Sequence, residues 1–378
     1  MIKINSTLFG KLSAQQFLQK YWQKKPLLIR DAFPNFKNFL NKEKLIALSC
    51  KEDIQSRLIR FQSRQWTLDV GPFKKHYLSQ LTGHWTLLVQ GLNYFLPEAE
   101  SLLKTFHFIP HARLDDLMVS FAPDGGSVGP HFDSYDVFLL QGQGTRLWKI
   151  SKQNDQTLIP NAPLRILKNF KSEEEWILNP GDMLYLPPKY AHHGIARGEC
   201  MTYSIGFRAV SAEEITQAFL MFLQDHLHLT GRYTDPDLTL SKHPAEISQQ
   251  MIVKIEKMIR KIKFNKNDIE NFLGAYLSEP KANLIFDPPD PAMSEKEFFK
   301  LAIQHGIMLD LKSQILFTHK QFFINGESFT VHAQIKPYLK KLADEREIML
   351  SLNTIQKIGF LLYEWYLNGY VRIKTWKK

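Results

Sequence analysis

VGPHFDSYDVFLLQGQGTRLWK, residues 128–149, is the stretch from which the fold can be read. It has the texture of a β-strand holding His131 and Asp133 two positions apart, so imidazole and carboxylate share one face. Tyr135, Val137 and Leu139 continue that face, which implies a barrel interior rather than a wet surface. Gly142 and Gly144 read as a turn, and 145–150 as the returning strand, with Arg146 a lone charge near its start. Downstream, NPGDMLYLPPKYAHHGI (179–195) gives an apolar strand at 183–186, a Pro-Pro break, and then His192 and His193. A His-X-Asp pair plus a distant histidine is the two-histidine, one-carboxylate triad that leaves positions on a ferrous ion open. His-X-Asp alone would mean little in a chain with 13 histidines. Strand placement, the glycines, the arginine and the later histidine pair together carry the reading.

Bulk properties narrow the class. At 378 residues the chain exceeds one ordinary domain. The balance of 44% hydrophobic and 23% charged residues is that of a globular protein. No apolar run is long enough for a membrane span, and MIKINSTLFGKL has no signal-peptide core, so no membrane association is expected. Cys50 and Cys200 match no zinc or redox spacing, which makes a disulfide framework unexpected and the cytoplasm the expected compartment. The net charge of +10 suits a nucleic-acid or ribonucleoprotein partner, and equally suits a general basic bias.

Taken in order, 13–22 reads as a helix capped by Ser13, 27–30 as a strand, 41–49 as a helix, 84–90 as a strand and 97–106 as a helix. Residues 115–121 (DDLMVSF) alternate: Asp116, Met118 and Ser120 on one face, Leu117, Val119 and Phe121 on the other. PDGGSVGP (123–130) is a loop without the GK[ST] of a phosphate site. With 175–178 and 200–208 as further strands, the first half predicts an antiparallel barrel or sandwich. From 211 the texture is helical: a capped helix, a second at 244–262 and a third at 267–277. These fit mutual packing or a dimer interface better than chemistry. DPPDPAM (287–293) is a linker. The remainder, with helices at 295–305, 335–343 and 354–367 and a hairpin across Asn325-Gly326, suggests a winged-helix module. No basic cluster sits at a helix start, so no direct DNA binding is expected.

HFDSYDVFLLQGQGTRLW (131–148), NPGDMLYLPPKYAHHG (179–194) and YSIGFRA (203–209) resemble the JmjC-type 2-oxoglutarate oxygenases of the cupin superfamily. YWQKKPLLIR (21–30), DDLMVSFAP (115–123) and YTDPD (233–237) extend the likeness over nearly the whole chain. Within that group the chain is similar to the bacterial ribosomal oxygenases that hydroxylate an arginine of a large-subunit (50S) ribosomal protein. The resemblance implies a mainly β catalytic domain, a double-stranded β-helix at 1–210. It further implies a helical dimerisation region at 211–282 and a winged-helix-like domain at 283–378, with a homodimer as the assembly. It also implies Fe(II), 2-oxoglutarate as cosubstrate, and dioxygen.

On that reading His131, Asp133 and His192 would be the iron ligands and the catalytic set. His193 is the rival third ligand; the family motif, a ligand followed by X-Gly, favours His192. Arg146 would grip the distal carboxylate of 2-oxoglutarate, because a guanidinium matches a carboxylate with two parallel hydrogen bonds. Lys149 is the competing cation but belongs to the opposite strand face. An arginine substrate needs an acid, and Asp116 is the candidate, with Met118 beside it and Tyr135 lining the same pocket. Asp116 as a structural carboxylate and Tyr135 as a core aromatic are the alternatives. At the level of function, the alternatives are the same chemistry on a histidine of another ribosomal protein, or a non-catalytic adaptor for ribonucleoprotein.

Overall fold

The structure is a computed structural model and describes residues 8–374. Its contacts group the chain into two units. The first contains the chain up to Ala209 together with Pro280–Ser313 and the chain from Glu345 onward. The second comprises Val210–Glu279 and Gln314–Asp344.

The first unit is built on ten strands: β1 (Leu27–Ile29), β2 (Ser56–Gln62), β3 (Gln65–Val70), β4 (His84–Val89), β5 (Leu114–Ala122), β6 (His131–Phe132), β7 (Val137–Ser151), β8 (Glu174–Leu178), β9 (Met183–Leu186) and β10 (Ala191–Phe207). They run in the order β1-β9-β7-β10-β5-β4-β2-β3, with β6 added to β10 and β8 to β7. Every pairing is antiparallel. The long strands β7 and β10 each change partner along their length. Residues 137–140 of β7 lie against β9, and residues 146–150 against β8. Residues 200–207 of β10 lie against β5, and its start lies against β6.

The two faces of β7 bury different clusters, and the alternation slips by one residue at Gly142, where the pairing with β10 skips. Phe138 and Leu140 enter a large core with Phe17, Phe106 and Tyr185, whereas Val137, Leu139, Trp148 and Ile150 form a second apolar cluster with Leu178 and Leu184. Burying a ring such as Phe138 completely contributes about 1.5–3 kcal/mol.

Gly142 and Gly144 do not turn the chain: 137–151 is one strand, and 191–207 is likewise one strand, not a loop followed by a strand at 200. Gly144 adopts φ +62°, and a Cβ there would meet the Glu199 carbonyl oxygen at 2.1 Å. The glycine therefore admits the irregular pairing between Arg197 and Met201 of β10, which bends the ladder without ending it. β6 stops at Phe132, so Asp133 and Tyr135 sit in the bend that follows it rather than, as expected, on the strand with His131.

Capping explains where several helices begin. Ser13 and Gln16 exchange side-chain and backbone hydrogen bonds at the start of Ala14–Lys20, and Ser211 with Glu214 do the same for Ala212–His226. The helix expected at 244–262 is shorter, Gln249–Ile259, because Ser248 caps it through the Met251 amide. The second unit joins these latter two helices to Lys266–Ser278 and a small sheet of β12 (Ile315–Phe317), β13 (Phe322–Ile324) and β14 (Glu327–Phe329). In the first unit, β11 (Ile307–Leu309) pairs with β15 (Glu347–Ile348) and β16 (Val371–Ile373) beside the helices Glu295–His305 and Leu352–Leu367. Among the described residues, no helix is long and apolar enough to cross a membrane.

Candidate functional site

A cavity of about 340 Å³ opens between the strands of the first unit. His131, Asp133, His192, Arg146, Asp116, Met118 and Tyr135 all line it. The fold brings the first three together by pairing β6 with β10, which sets His131 opposite His192. His131 Nε2 lies 3.7 Å from Asp133 Oδ1, and His192 Nε2 lies 3.5 Å from Asp133 Oδ2. One ligand atom from each residue falls within 4.8 Å of the others.

Both imidazoles are oriented from behind. His131 Nδ1 is 2.9 Å from the Gly129 carbonyl oxygen, and His192 Nδ1 is 3.1 Å from that of Tyr190. A carbonyl only accepts, so each Nδ1 donates, and in the neutral tautomer that this selects the Nε2 lone pair faces Asp133. Burial holds the His192 imidazole down at about 4, with the neighbouring His131 acting in the same sense. Two lone pairs facing a carboxylate repel one another unless a cation stands between them. The donor set therefore fits a divalent metal of the ferrous type.

His193 is one step further along β10 and turns to the other face. It lies opposite Lys149 in the ladder, and its ring meets Phe170 edge-on at 6.1 Å. Of the two histidines, only His192 joins His131 and Asp133.

Arg146 is 3% exposed, and its Nε and Nη2 find no hydrogen-bond partner within the protein; nor does Trp148 Nε1. A buried guanidinium with unmatched donors is costly, and an anion with several acceptor oxygens removes that cost. Trp148 links the two halves of the site: its ring is 5.8 Å from the Arg146 guanidinium carbon and 5.9 Å from the His192 ring. Lys149 points away and pairs with Glu175 at 2.8 Å. The residues present thus fit a dicarboxylate as well as a metal.

Asp116, also in the cavity lining and 5% exposed, faces Lys281 at 3.1 Å. Burial pushes its carboxyl up, and Lys281 opposes that push. Tyr135 is raised above the usual phenol range, by burial first and by Asp133 second. The sequence reading passed over several lining residues, among them Arg57 of β2, Gln90, Thr202 and Ser204. Strand alternation placed Met118 and Ser120 inward and could have placed Thr202 and Ser204 there as well, both on one face of β10.

Comparison with known proteins gives two family matches: a JmjC domain over residues 101–215 and a ROXA-like winged helix over residues 259–372. The chain is 31% identical over 335 residues to the ribosomal protein uL16 3-hydroxylase of Escherichia coli, covering 88% of this chain and 89% of that protein. The chain belongs to the JmjC ribosomal oxygenase family. A probable ribosomal oxygenase of Haemophilus influenzae is 38% identical over 63% of this oxygenase and 58% of its own length. The structure of YcfD, a ribosomal oxygenase from Escherichia coli in complex with cobalt and 2-oxoglutarate, matches this ribosomal oxygenase with a TM-score of 0.81 at 28% identity, covering 96% and 98% of the two chains.

Proposed function

We propose that this chain is an Fe(II)- and 2-oxoglutarate-dependent hydroxylase of an arginine residue in a large-subunit ribosomal protein, acting in the cytoplasm as a homodimer. The observation that carries the chemistry is the buried Arg146, with two unmatched donors, in the same cavity as the His131–Asp133–His192 cluster. His131, Asp133 and His192 would hold the metal, and Arg146 would take the distal carboxylate of the cosubstrate as a fork. When bound, iron and 2-oxoglutarate supply the oxidising power that places one dioxygen oxygen on a substrate carbon. The protein orients the target side chain, excludes water, and fixes the orientation of both imidazoles through their Nδ1–H bonds.

Asp116 would receive the guanidinium of the target, with Met118 and Tyr135 as walls. The uL16 activity of the Escherichia coli relative supports the ribosomal substrate. A buried acid in the cavity lining favours a cationic target over a neutral imidazole. The homodimer reading is supported by apolar side chains left exposed on the helices of the second unit, Leu220 at 59% and Met221 at 70% among them.

Incubation with Fe(II), 2-oxoglutarate and the ribosomal protein should add one oxygen mass to a single arginine, with succinate released in step. Arg146→Lys should raise KM for 2-oxoglutarate by about tenfold or more, since a point charge cannot reproduce the fork. Succinate without arginine oxidation removes the substrate assignment; no 2-oxoglutarate turnover at all removes the enzyme.

A further inference from the structure

Asp116 faces the cavity already holding a cation. Lys281 Nζ stands 3.1 Å from Asp116 Oδ2 and 3.0 Å from Asp115 Oδ1. The ammonium also lies 5.9 Å from the ring centre of Tyr94, whose hydroxyl donates to the Asp115 carbonyl at 3.0 Å. Lys281 belongs to Pro280–Ser313, the segment that packs with the sheet although it follows the helical region in sequence.

The two acids are not equivalent. The Asp115 side chain is 36% exposed and also faces Arg208 Nε at 3.8 Å, whereas that of Asp116 is nearly closed off from water. A carboxylate so buried stays charged only with a partner. Lys281 engages one of its oxygens. The other, Oδ1, lies beside Gly206, and Gly206, Tyr135 and Met118 line the cavity with it. Arg208 offsets the outer acid and Lys281 the inner one, so the attraction offered to an incoming cation is local, at the Asp116 oxygen that Lys281 does not engage.

We infer that Lys281 is a positioning residue for substrate selection: by holding Oδ2 it keeps Asp116 charged and turns Oδ1 into the cavity, where it selects a guanidinium over a neutral side chain of the same shape. The inference rests on the hydroxylase reading above. Burial alone drives the Asp116 carboxyl toward its neutral form, and Lys281 is the largest influence in the other direction. Without Lys281 only the Gln90 side chain would counter burial and the neighbouring Asp115, and the acid would lose its preference for charge.

The test is binding, measured by calorimetry without oxygen on the enzyme loaded with Mn(II) and 2-oxoglutarate. The probes are a peptide around the target arginine and the same peptide with citrulline in its place. Wild type should bind the arginine peptide at least about tenfold more tightly, the worth of one charge-assisted hydrogen bond. Lys281→Met should reduce that preference to under about threefold with 2-oxoglutarate affinity unchanged, and Lys281→Arg should restore it. Should the methionine variant lose 2-oxoglutarate binding as a sign of misfolding, Lys281→Gln, uncharged but still a donor, makes the same comparison. A wild-type enzyme with no preference sinks the arginine reading and the role of Lys281 with it. A wild-type preference that survives in Lys281→Met overturns the inference alone. A preference that grows in that variant also overturns it, and marks Lys281 as a tethered competitor.

Discussion

His192 and His193 differ by one step along β10, and in a strand one step is a change of face. His192→Ala should therefore weaken Mn(II) binding by about a hundredfold, the cost of a lost ligand, while His193→Ala should leave it within about threefold. Electron paramagnetic resonance titration of free Mn(II) reads both, and equal losses would refute the assignment. From sequence, only the family motif of a ligand followed by X-Gly separates two adjacent histidines; with 191–207 as one strand, the choice follows from its period. The inward face of β5 was legible for the same reason, since Asp116, Met118 and Ser120 alternate with core residues. Lys281 was not legible, because 165 residues separate it from Asp116 and no local pattern marks an ion pair across that span.

At the scale of elements, strands and capped helices could be read, and their connections could not. The glycines of β7 suggest a reversal because Gly-X-Gly usually marks one; in the fold they make room for Tyr203 and for the Glu199 carbonyl. The opposite error hid β2 and β3. Their two-residue turn is Ser63-Arg64, both at positive φ (50° and 63°), where Asn-Gly is the usual signature. Without that signal the hairpin supplying Arg57 to the cavity was passed over. The exposed face of Ala212–His226 makes its own prediction. If copies of the chain pair through it, Met221→Glu should convert a dimer to a monomer in light scattering, with the circular dichroism spectrum unchanged. A variant still dimeric places the interface elsewhere.

For the whole molecule, acid should be the sensitive direction. Burial lowers His107 to about 3, helped by His111 and Arg346, and lowers His111 to about 4, helped by Arg346. The unfolded chain takes up protons near pH 6.5 that these folded imidazoles refuse, so their contribution is intact above about pH 6.5 and declines as the pH falls toward 4. Melting temperatures of metal-free protein should fall over that window, and the paired substitution of His107 and His111 by Gln should flatten the fall; an unchanged slope would exclude them as its source. The discontinuous first unit has a consequence for biosynthesis. All ten strands leave the ribosome before Pro280, yet Lys281 opposite Asp116, and Arg346 at 2.8 Å from Glu100, come later. At about 5–20 residues per second, the 165 residues between Asp116 and Lys281 take roughly 8–33 seconds to make. On the nascent chain the cavity's acid therefore exists before its counter-ion does, and the newborn enzyme matures from its C-terminal half inward.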